Sequence, residues 1–353
     1  MQIGIILSAT PVMMLLIQPI YGMLADRIGI KKCLIFSSLL ASLSFLLFLL
    51  DGGFYFLLLV TLLMSVFYNA LQPFLDSVTL ELTEGNPNFS YGTLRIAGAA
   101  GWAFTGIIVG YFITTQSTMV IFVSSSISLM IAFFVSLSLD GAEPKRIVAH
   151  QNSEGSFKSI LKNKTLVFLL ISIFLISVGA TTIWNFYSIY MKENGASATL
   201  VGYGLSFQGL TELPMFYFSA RIIKRFGIKS TLLITIAATT IRLFLYSWVK
   251  DPQAAIAIEL LHCVSWSLFW VVCVESVNGL VPTQWRATGQ SILYAVYFGA
   301  GQIAGNFWTG WLYDQQMTIA NIFMLNGFLV AGVGVLTAIF LRPQKVNQTA
   351  TAS

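Results

Sequence analysis

The feature that most limits the fold of this chain is a series of long apolar stretches joined mostly by short polar connections. Each holds about 20 predominantly apolar residues, the length that an α-helix needs to cross the hydrocarbon core of a bilayer. Helices also satisfy their backbone hydrogen bonds internally, as a lipid-exposed segment must. The eleven stretches cover residues 3–25, 33–50, 54–82, 89–113, 118–139, 165–190, 199–220, 231–249, 253–278, 286–312 and 319–341. We therefore predict an all-α integral membrane protein with eleven transmembrane helices.

The composition agrees with this prediction and excludes other classes. Charged residues make up 9% of the 353 residues, against about 25% in soluble domains. The first stretch lacks the basic flank and the small-residue cleavage site of a signal peptide, so we interpret it as a true span. The basic residues are scattered through connections, which argues against a nucleic-acid partner despite the net charge of +5. The cysteines lie in apolar stretches without metal-ligand spacing, so we interpret them as packed thiols and expect no metal site.

The lysines and arginines predict the orientation of the spans. Cytoplasmic connections are enriched in these residues. The side of the membrane that holds most of them carries Arg27, the long connection 140–164 and Arg342. The opposite side carries Lys192 and Lys250. We therefore expect a cytoplasmic C-terminus in a multi-pass protein of the plasma membrane, the inner membrane in a bacterium.

An internal repeat divides the chain into two related halves. Residues 27–31 read Arg-Ile-Gly-Ile-Lys, and residues 225–229 read Arg-Phe-Gly-Ile-Lys. The first half holds five spans and the second six, so the pattern predicts that a first transmembrane helix is missing from this chain. The expected domains are a bundle over 1–139, a cytoplasmic linker over 140–164, a bundle over 165–342 and a cytoplasmic tail over 343–353.

The connection after the first span carries a motif that can be recognised. The segment Gly22-Met-Leu-Ala-Asp26-Arg27-Ile-Gly29-Ile-Lys31-Lys32 resembles the signature loop of the major facilitator superfamily. The resemblance implies two pseudo-symmetric bundles of six helices each, of which this chain would hold helices two to six and seven to twelve. It also implies alternating-access transport by a chain that we expect to be monomeric. The expected cytoplasmic gate motif consists of Gly22, Asp26, Arg27, Gly29 and Lys31.

Charged residues inside spans are candidates for substrate binding because a charge in the hydrocarbon core is costly. Asp76 lies about eight residues before a polar connection and Arg95 about six residues after it. On antiparallel helices both lie roughly 9–12 Å deep, so we expect them to meet. Trp102 follows seven residues after Arg95 on the same helix face. The stretches 69–76 and 92–102 also resemble a helix pair of one branch of the superfamily, in which a carboxylate, an arginine and a tryptophan contact a sugar. This resemblance implies that Asp76, Arg95 and Trp102 bind the substrate, with Asn69 and Asn185 as further candidates. A purely structural ion pair between Asp76 and Arg95 is the alternative.

The second half carries a separate set of ionisable residues. Arg242 and Glu259 lie at matching depths on neighbouring spans, and His262 follows one turn after Glu259. Burial favours the neutral form of a carboxyl group, whereas a nearby arginine favours the charged form. A buried glutamate beside an arginine can therefore load and release a proton. We interpret Glu212, Arg242, Glu259 and His262 as proton-coupling residues, with Glu212 or Glu259 as the carrier.

The polar positions resemble the branch of the superfamily that holds the lactose, phenylpropionate and nucleoside permeases. The resemblance implies symport of a small polar solute, a sugar or an aromatic or organic acid, driven by the proton gradient. No cofactor is expected, since the proton gradient would supply the driving force. The chain departs from the lactose permease pattern at Ser265, where that pattern has a glutamate, and at Glu259, where it has a lysine.

Other functions remain open from the sequence. Drug or sugar efflux by antiport would use a similar fold, and a non-transporting sensor or an inactive truncated relic is the alternative from another class. We do not expect an enzyme, because no nucleophile with a base partner appears.

Overall fold

The computed structural model describes residues 2–83, 89–101, 119–139 and 162–341. Within these ranges all regular secondary structure is helical. Each of the eleven predicted spans overlaps a helix there. Seven helical segments in the described part are long and apolar enough to cross a membrane, and one of these, Leu200–Trp248, overlaps two of the predicted spans. The all-α integral membrane fold is confirmed.

The helices follow the predicted spans closely in these ranges. Those of the first half are α1 (Gln2–Ile28), α2 (Ile30–Leu46), α3 (Phe54–Thr83), α4 (91–101, where the described range ends) and α5 (Val120–Leu137). Those of the second half are α6 (Lys164–Glu193), α7 (198–226), α8 (228–248), α9 (Pro252–Leu280), α10 (286–314) and α11 (Ile319–Phe340). The predicted linker lies outside the described residues apart from its last three positions.

Polar side chains define where several of these helices begin. Asn163 accepts hydrogen bonds from the first amides of α6, and Ser197 accepts one from Leu200 at the start of α7. Asp251 and Thr318 do the same for α9 and α11. Capping of this kind satisfies amide groups that have no partner inside a helix, so short polar connections are sufficient to end one span and start the next.

The repeated motif has the same backbone feature in both copies. Gly29 separates α1 from α2 with φ 100°, and Gly227 separates α7 from α8 with φ 78°. A side chain strongly disfavours this left-handed region, whereas glycine enters it readily. The repeat found in the sequence is therefore also a repeat of the structure.

The described residues divide into two compact units. One contains 2–83, 119–139 and 281–300, and the other contains 89–101, 162–280 and 301–341. In the first unit α1 packs on α3 and on the first segment of α10, while α2 packs between α3 and α5. In the second unit α11 packs against α6 and against the stretch Ala198–Trp248. The bundle boundaries inferred from the sequence stay a prediction.

Candidate functional site

Four ionisable side chains of the second unit lie in one buried cluster, which we call the relay cluster: Glu212, Arg242, Glu259 and His262. Arg242 on α8 forms an ion pair with Glu259 on α9, and both side chains are almost fully buried. Tyr246, one turn after Arg242, donates its hydroxyl to the other oxygen of Glu259. Both carboxylate oxygens of Glu259 are thus bonded, as a buried charge requires.

His262 connects the ion pair to the remaining glutamate. Nη1 of Arg242 lies 2.9 Å from Nδ1 of His262, and a guanidinium can only donate, so Nδ1 must accept. The neutral ring then carries its hydrogen on Nε2, which lies 2.9 Å from Oε1 of Glu212 and donates to it. The contacts therefore run without a break from Glu259 through Arg242 and His262 to Glu212.

The backbone of α9 departs from regular α-helix on both sides of His262. A 3₁₀ turn covers Glu259–Leu261, and a π-helical segment covers Cys263–Leu268. Residues three apart lie on the same side of a 3₁₀ turn, which brings Glu259 and His262 to the same neighbour, Arg242. π-Helical segments are rare and often accompany functional sites.

The relay cluster is buried at one end and accessible at the other. Glu259 is completely buried, while the side chain of Glu212 keeps 19% of its surface exposed. Arg95 lies near the accessible end, with Cζ 5.9 Å from the ring of Phe216 and its charge within electrostatic reach of Glu212. Glu212 is therefore the most accessible member of the relay cluster.

A glycine allows α4 to reach this position. A Cβ at Gly92 would lie 2.2 Å from the carbonyl oxygen of Phe216 and 2.1 Å from Oγ of Ser219, both on α7. Such distances are far below van der Waals contact, so α4 and α7 can touch here only because position 92 lacks a side chain. Arg95 follows one turn later and is thereby held beside α7.

The binding candidates of the first unit are also hydrogen-bonded. Asp76 is buried and accepts from the hydroxyl of Tyr294 at 2.6 Å and from the amide of Gln72 at 3.3 Å. Asn69 donates to the backbone carbonyl of Thr10 at 3.1 Å, a bond that joins α3 to α1. The pairing of Asp76 with the arginine of α4 stays a prediction, and Trp102 lies outside the described residues.

The gate motif contacts the first turn of α10. Asp26 accepts from the backbone amides of Ala287 at 3.2 Å and Thr288 at 3.0 Å, and also from the Thr288 hydroxyl. A carboxylate is favoured at a helix N-terminus by the free amides and the helix dipole. A Cβ at Gly22 would lie 2.6 Å from Cα of Thr288, so this glycine permits the contact. Arg27 is exposed and Lys31 is half-buried; the role of the motif as a gate stays a prediction.

Asn185 lies on α6 beside an exposed tryptophan. Its amide donates to Oδ1 of Asn306 on α10 at 2.7 Å, and the ring of the neighbouring Trp184 packs edge-on against His262. Tyr187 and Tyr190, further along α6, are buried, and Tyr190 donates to the carbonyl of Val249.

Sequence reasoning missed three polar or aromatic residues of this region. Tyr246 could have been found, because it lies one turn from Arg242 on the face that meets Glu259. Trp184 and Asn306 carried no comparable signal, since their neighbours belong to helices remote in sequence.

The helices and the buried charges define a multi-pass membrane transporter of the major facilitator type. Residues 1–325 match the model of a family described as the MFS_1 like family, and the chain belongs to this family. Its relatives are permeases and transporters rather than enzymes.

Two relatives show the extent of the similarity. The uncharacterized transporter YwbF of Bacillus subtilis (strain 168) is 25% identical over 354 residues, which cover 99% of this chain and 86% of the relative. The lactose permease of Citrobacter freundii is 23% identical over 358 residues, covering 94% of this chain and 82% of that protein.

Solved structures share the fold. A point mutant of the E. coli fucose:proton symporter FucP superposes with a TM-score of 0.73 at 14% identity, covering 96% of this chain and 90% of that one. A point mutant of the nucleoside transporter NupG superposes with a TM-score of 0.69 at 15% identity, covering 97% and 91%.

Proposed function

We propose that this protein is a proton-coupled symporter that imports a small polar solute into a bacterial cell, with a sugar as the favoured class. Permeases for lactose, raffinose and maltose among its relatives support the class of solute, and the fucose:proton symporter supports the fold for such coupling. The observation that carries the proposal is the unbroken relay cluster from Glu259 to Glu212.

Glu212 is the proton carrier in this proposal. Glu259 is held in an ion pair and by the hydroxyl of Tyr246, so protonating it would break two buried bonds. Glu212 has a partly exposed side chain and a bond to His262 that tolerates either protonation state. A neutral Glu212 accepts from Nε2 of His262 through its carbonyl oxygen, and an ionised Glu212 accepts through a carboxylate oxygen.

Arg242 and His262 determine the electrostatic field at Glu212, the proposed proton carrier. The permanent charge of Arg242 polarises the imidazole that bonds Glu212, which favours release of the proton. Loss of the bond between His262 and Glu212 in another conformation would favour the protonated form. A carrier of this kind changes its proton affinity when the transporter changes state, which is what coupling requires.

The substrate site is proposed at Asp76, Arg95 and Trp102, with Asn69 and Asn185 as additional contacts. An arginine can hold either a carboxylate or several hydroxyl groups. The two bundles, 1–139 and 165–342, would alternate access to this site, with the linker, the gate motif and the C-terminus on the cytoplasmic side.

The proposal is tested in proteoliposomes that contain the full chain. Uptake of labelled lactose, raffinose, maltose and fucose is measured with and without an imposed inward proton gradient. We expect the gradient to drive accumulation of at least one sugar, and Glu212→Gln to abolish accumulation while retaining exchange across the membrane. Asp314→Asn makes the same chemical change at an exposed helix end and should behave as wild type. Gradient-independent uptake, or full accumulation by Glu212→Gln, would contradict the proposal.

A further inference from the structure

The second unit carries a pair of amide side chains deep within two spans. Nδ2 of Asn185 lies 2.7 Å from Oδ1 of Asn306; Asn185 is exposed and Asn306 is half-buried. Asn185 lies eight residues before Glu193, the last residue of α6, and Asn306 lies eight residues before Asp314, the last residue of α10. At 1.5 Å per residue, both amides are about 12 Å from the ends of their helices.

Lipid is a poor environment for this pair. Each primary amide offers two donors and two acceptor positions, and the bond between the two asparagines uses one of each. If the remaining donors and acceptors faced hydrocarbon, they would carry the full cost of desolvation. The exposed amide of Asn185 and the half-buried amide of Asn306 therefore point to water or to a polar solute rather than to acyl chains.

A partly exposed aromatic ring belongs to the residue that precedes Asn185 on α6. Trp184 precedes Asn185, is 36% exposed, and packs edge-on against Trp266 at 4.8 Å and against His262 at 5.6 Å between ring centroids. These two contacts hold the indole in place while leaving part of it accessible. A fixed aromatic surface beside adaptable hydrogen-bonding groups is the usual composition of a site for a partly apolar, partly polar ligand.

We propose that Trp184, Asn185 and Asn306 form a subsite for a neutral polyhydroxylated ring, a pyranose sugar, an assignment that rests on the symport proposed above. The C–H face of the sugar would stack on Trp184, and its hydroxyl groups would bond the two amides. None of these three side chains carries a charge, so the subsite has no preference for a carboxylate ligand.

The subsite also lies next to the relay cluster. Trp184 contacts His262, and His262 holds Glu212. A sugar stacked on Trp184 would reduce the access of water to this side of the cluster, and water access changes the balance between the charged and neutral forms of a carboxyl group. The contact between Trp184 and His262 thus gives a direct route by which a bound sugar affects Glu212, the proposed proton carrier.

The test is equilibrium binding to the full chain purified in detergent. The probes are methyl α-glucoside, methyl β-galactoside, maltose and uridine, followed by the monodeoxy derivatives of each pyranoside that binds. The variants are Trp184→Leu, Trp184→Phe, Asn185→Ala and Asn306→Ala. Asn321→Ala, at an exposed asparagine near the start of α11, is the matched control.

A hydroxyl-specific result is expected from the asparagines. Asn306→Ala should weaken binding of the parent sugar about tenfold, as expected for one lost hydrogen bond, and should leave unchanged the affinity for the deoxy derivative that lacks its partner hydroxyl. Asn185→Ala should show the same pattern for a different hydroxyl. Trp184→Leu should weaken all pyranosides by about tenfold or more, with partial recovery in Trp184→Phe.

Several results would overturn the subsite. These are equal weakening for parent and deoxy sugars, unchanged affinity in all the variants, binding of uridine without any pyranoside, and no binding by any probe. Failure of the symport proposal is distinguishable, because it would appear as sugar binding with the expected pattern but without gradient-driven accumulation. If Asn306→Ala and Trp184→Leu both retain wild-type sugar accumulation and sugar affinity, the subsite proposal is wrong while the symport proposal is unaffected.

Discussion

The hydroxyl of Tyr294 on α10 donates a 2.6 Å hydrogen bond to Oδ2 of Asp76 on α3, and both side chains are buried in the same unit. Gln72, one turn before Asp76, supplies a donor to Oδ1. The carboxylate is therefore held both from its own helix and from another. Because a buried carboxylate that loses a donor keeps its cost of desolvation, this contact should affect stability more than an exposed hydrogen bond does.

Removing the phenolic hydroxyl is expected to destabilise the protein. Tyr294→Phe should lower the free energy of unfolding by about 1–3 kcal/mol, since it removes a hydrogen bond to a buried carboxylate. Thermal melting of the purified protein followed by fluorescence measures the change. Tyr313→Phe removes the same group from an exposed tyrosine and should melt like wild type. Equal melting temperatures for Tyr294→Phe and Tyr313→Phe would contradict the prediction.

The ion pair between Arg242 and Glu259 predicts a non-additive double mutant. Arg242→Met and Glu259→Met should each cost about 3–5 kcal/mol, because either change leaves a buried charge without its partner. The double variant should be closer to wild type than either single variant, since two apolar side chains then replace the pair. Melting temperatures of the four proteins complete the cycle. Additive losses would show that the two side chains stabilise the protein independently.

His262 is expected to act through its two hydrogen bonds rather than through a positive charge. His262→Gln retains groups that can accept from Arg242 and donate to Glu212. Its free energy of unfolding should therefore lie within about 1.5 kcal/mol of the wild-type value. His262→Lys places a second cation beside the guanidinium and should be far less stable. Comparison of the two melting curves tests the prediction. Equal stability of the glutamine and lysine variants would contradict the neutral assignment.

The approach of α4 to α7 depends on the absence of a side chain at Gly92. Gly92→Ala should destabilise the protein by about 1–3 kcal/mol, because the new methyl group would overlap the carbonyl oxygen of Phe216. Gly209→Ala is the matched control on α7: a Cβ there meets no atom within 4 Å, and alanine favours helix. Melting curves of the two variants should therefore shift in opposite directions. A stabilised Gly92→Ala would show that the two helices do not pack closely here.

The repeated glycines are expected to resist substitution for a conformational reason. Gly29→Ala and Gly227→Ala should each cost about 1–2 kcal/mol, since both positions have a positive φ that a Cβ disfavours. A Cβ at position 227 meets no atom within 4 Å, so a loss there can be assigned to the backbone alone. Gly202→Ala, in a helix and without close neighbours, provides the comparison. Melting of Gly227→Ala at or above the temperature of Gly202→Ala would refute the conformational explanation.

The sequence by itself determined the helices and the contact between Arg242 and Glu259. Hydrophobic length is a local property, so the ends of α3 and α9 could be predicted to within about two residues. The meeting of Arg242 with Glu259 was also predictable, because neighbouring antiparallel helices joined by a short turn place residues equally distant from the turn at the same depth. The duplication was also predictable, because the motif around Gly29 and its copy at Gly227 can be compared directly in the sequence.

Only the tertiary structure decided which remote helices share a site. Sequence reasoning assigned Arg95 and Glu212 to separate functions, yet the packing of Gly92 against Phe216 holds α4 beside α7. The pairing of Asn185 with Asn306 and the contact of Trp184 with His262 likewise join helices far apart in the chain. The physical reason is that hydropathy gives the length and the depth of a helix. Which helices are neighbours and which faces they share depend on the packing of small residues and on the requirement that each buried polar group find a partner.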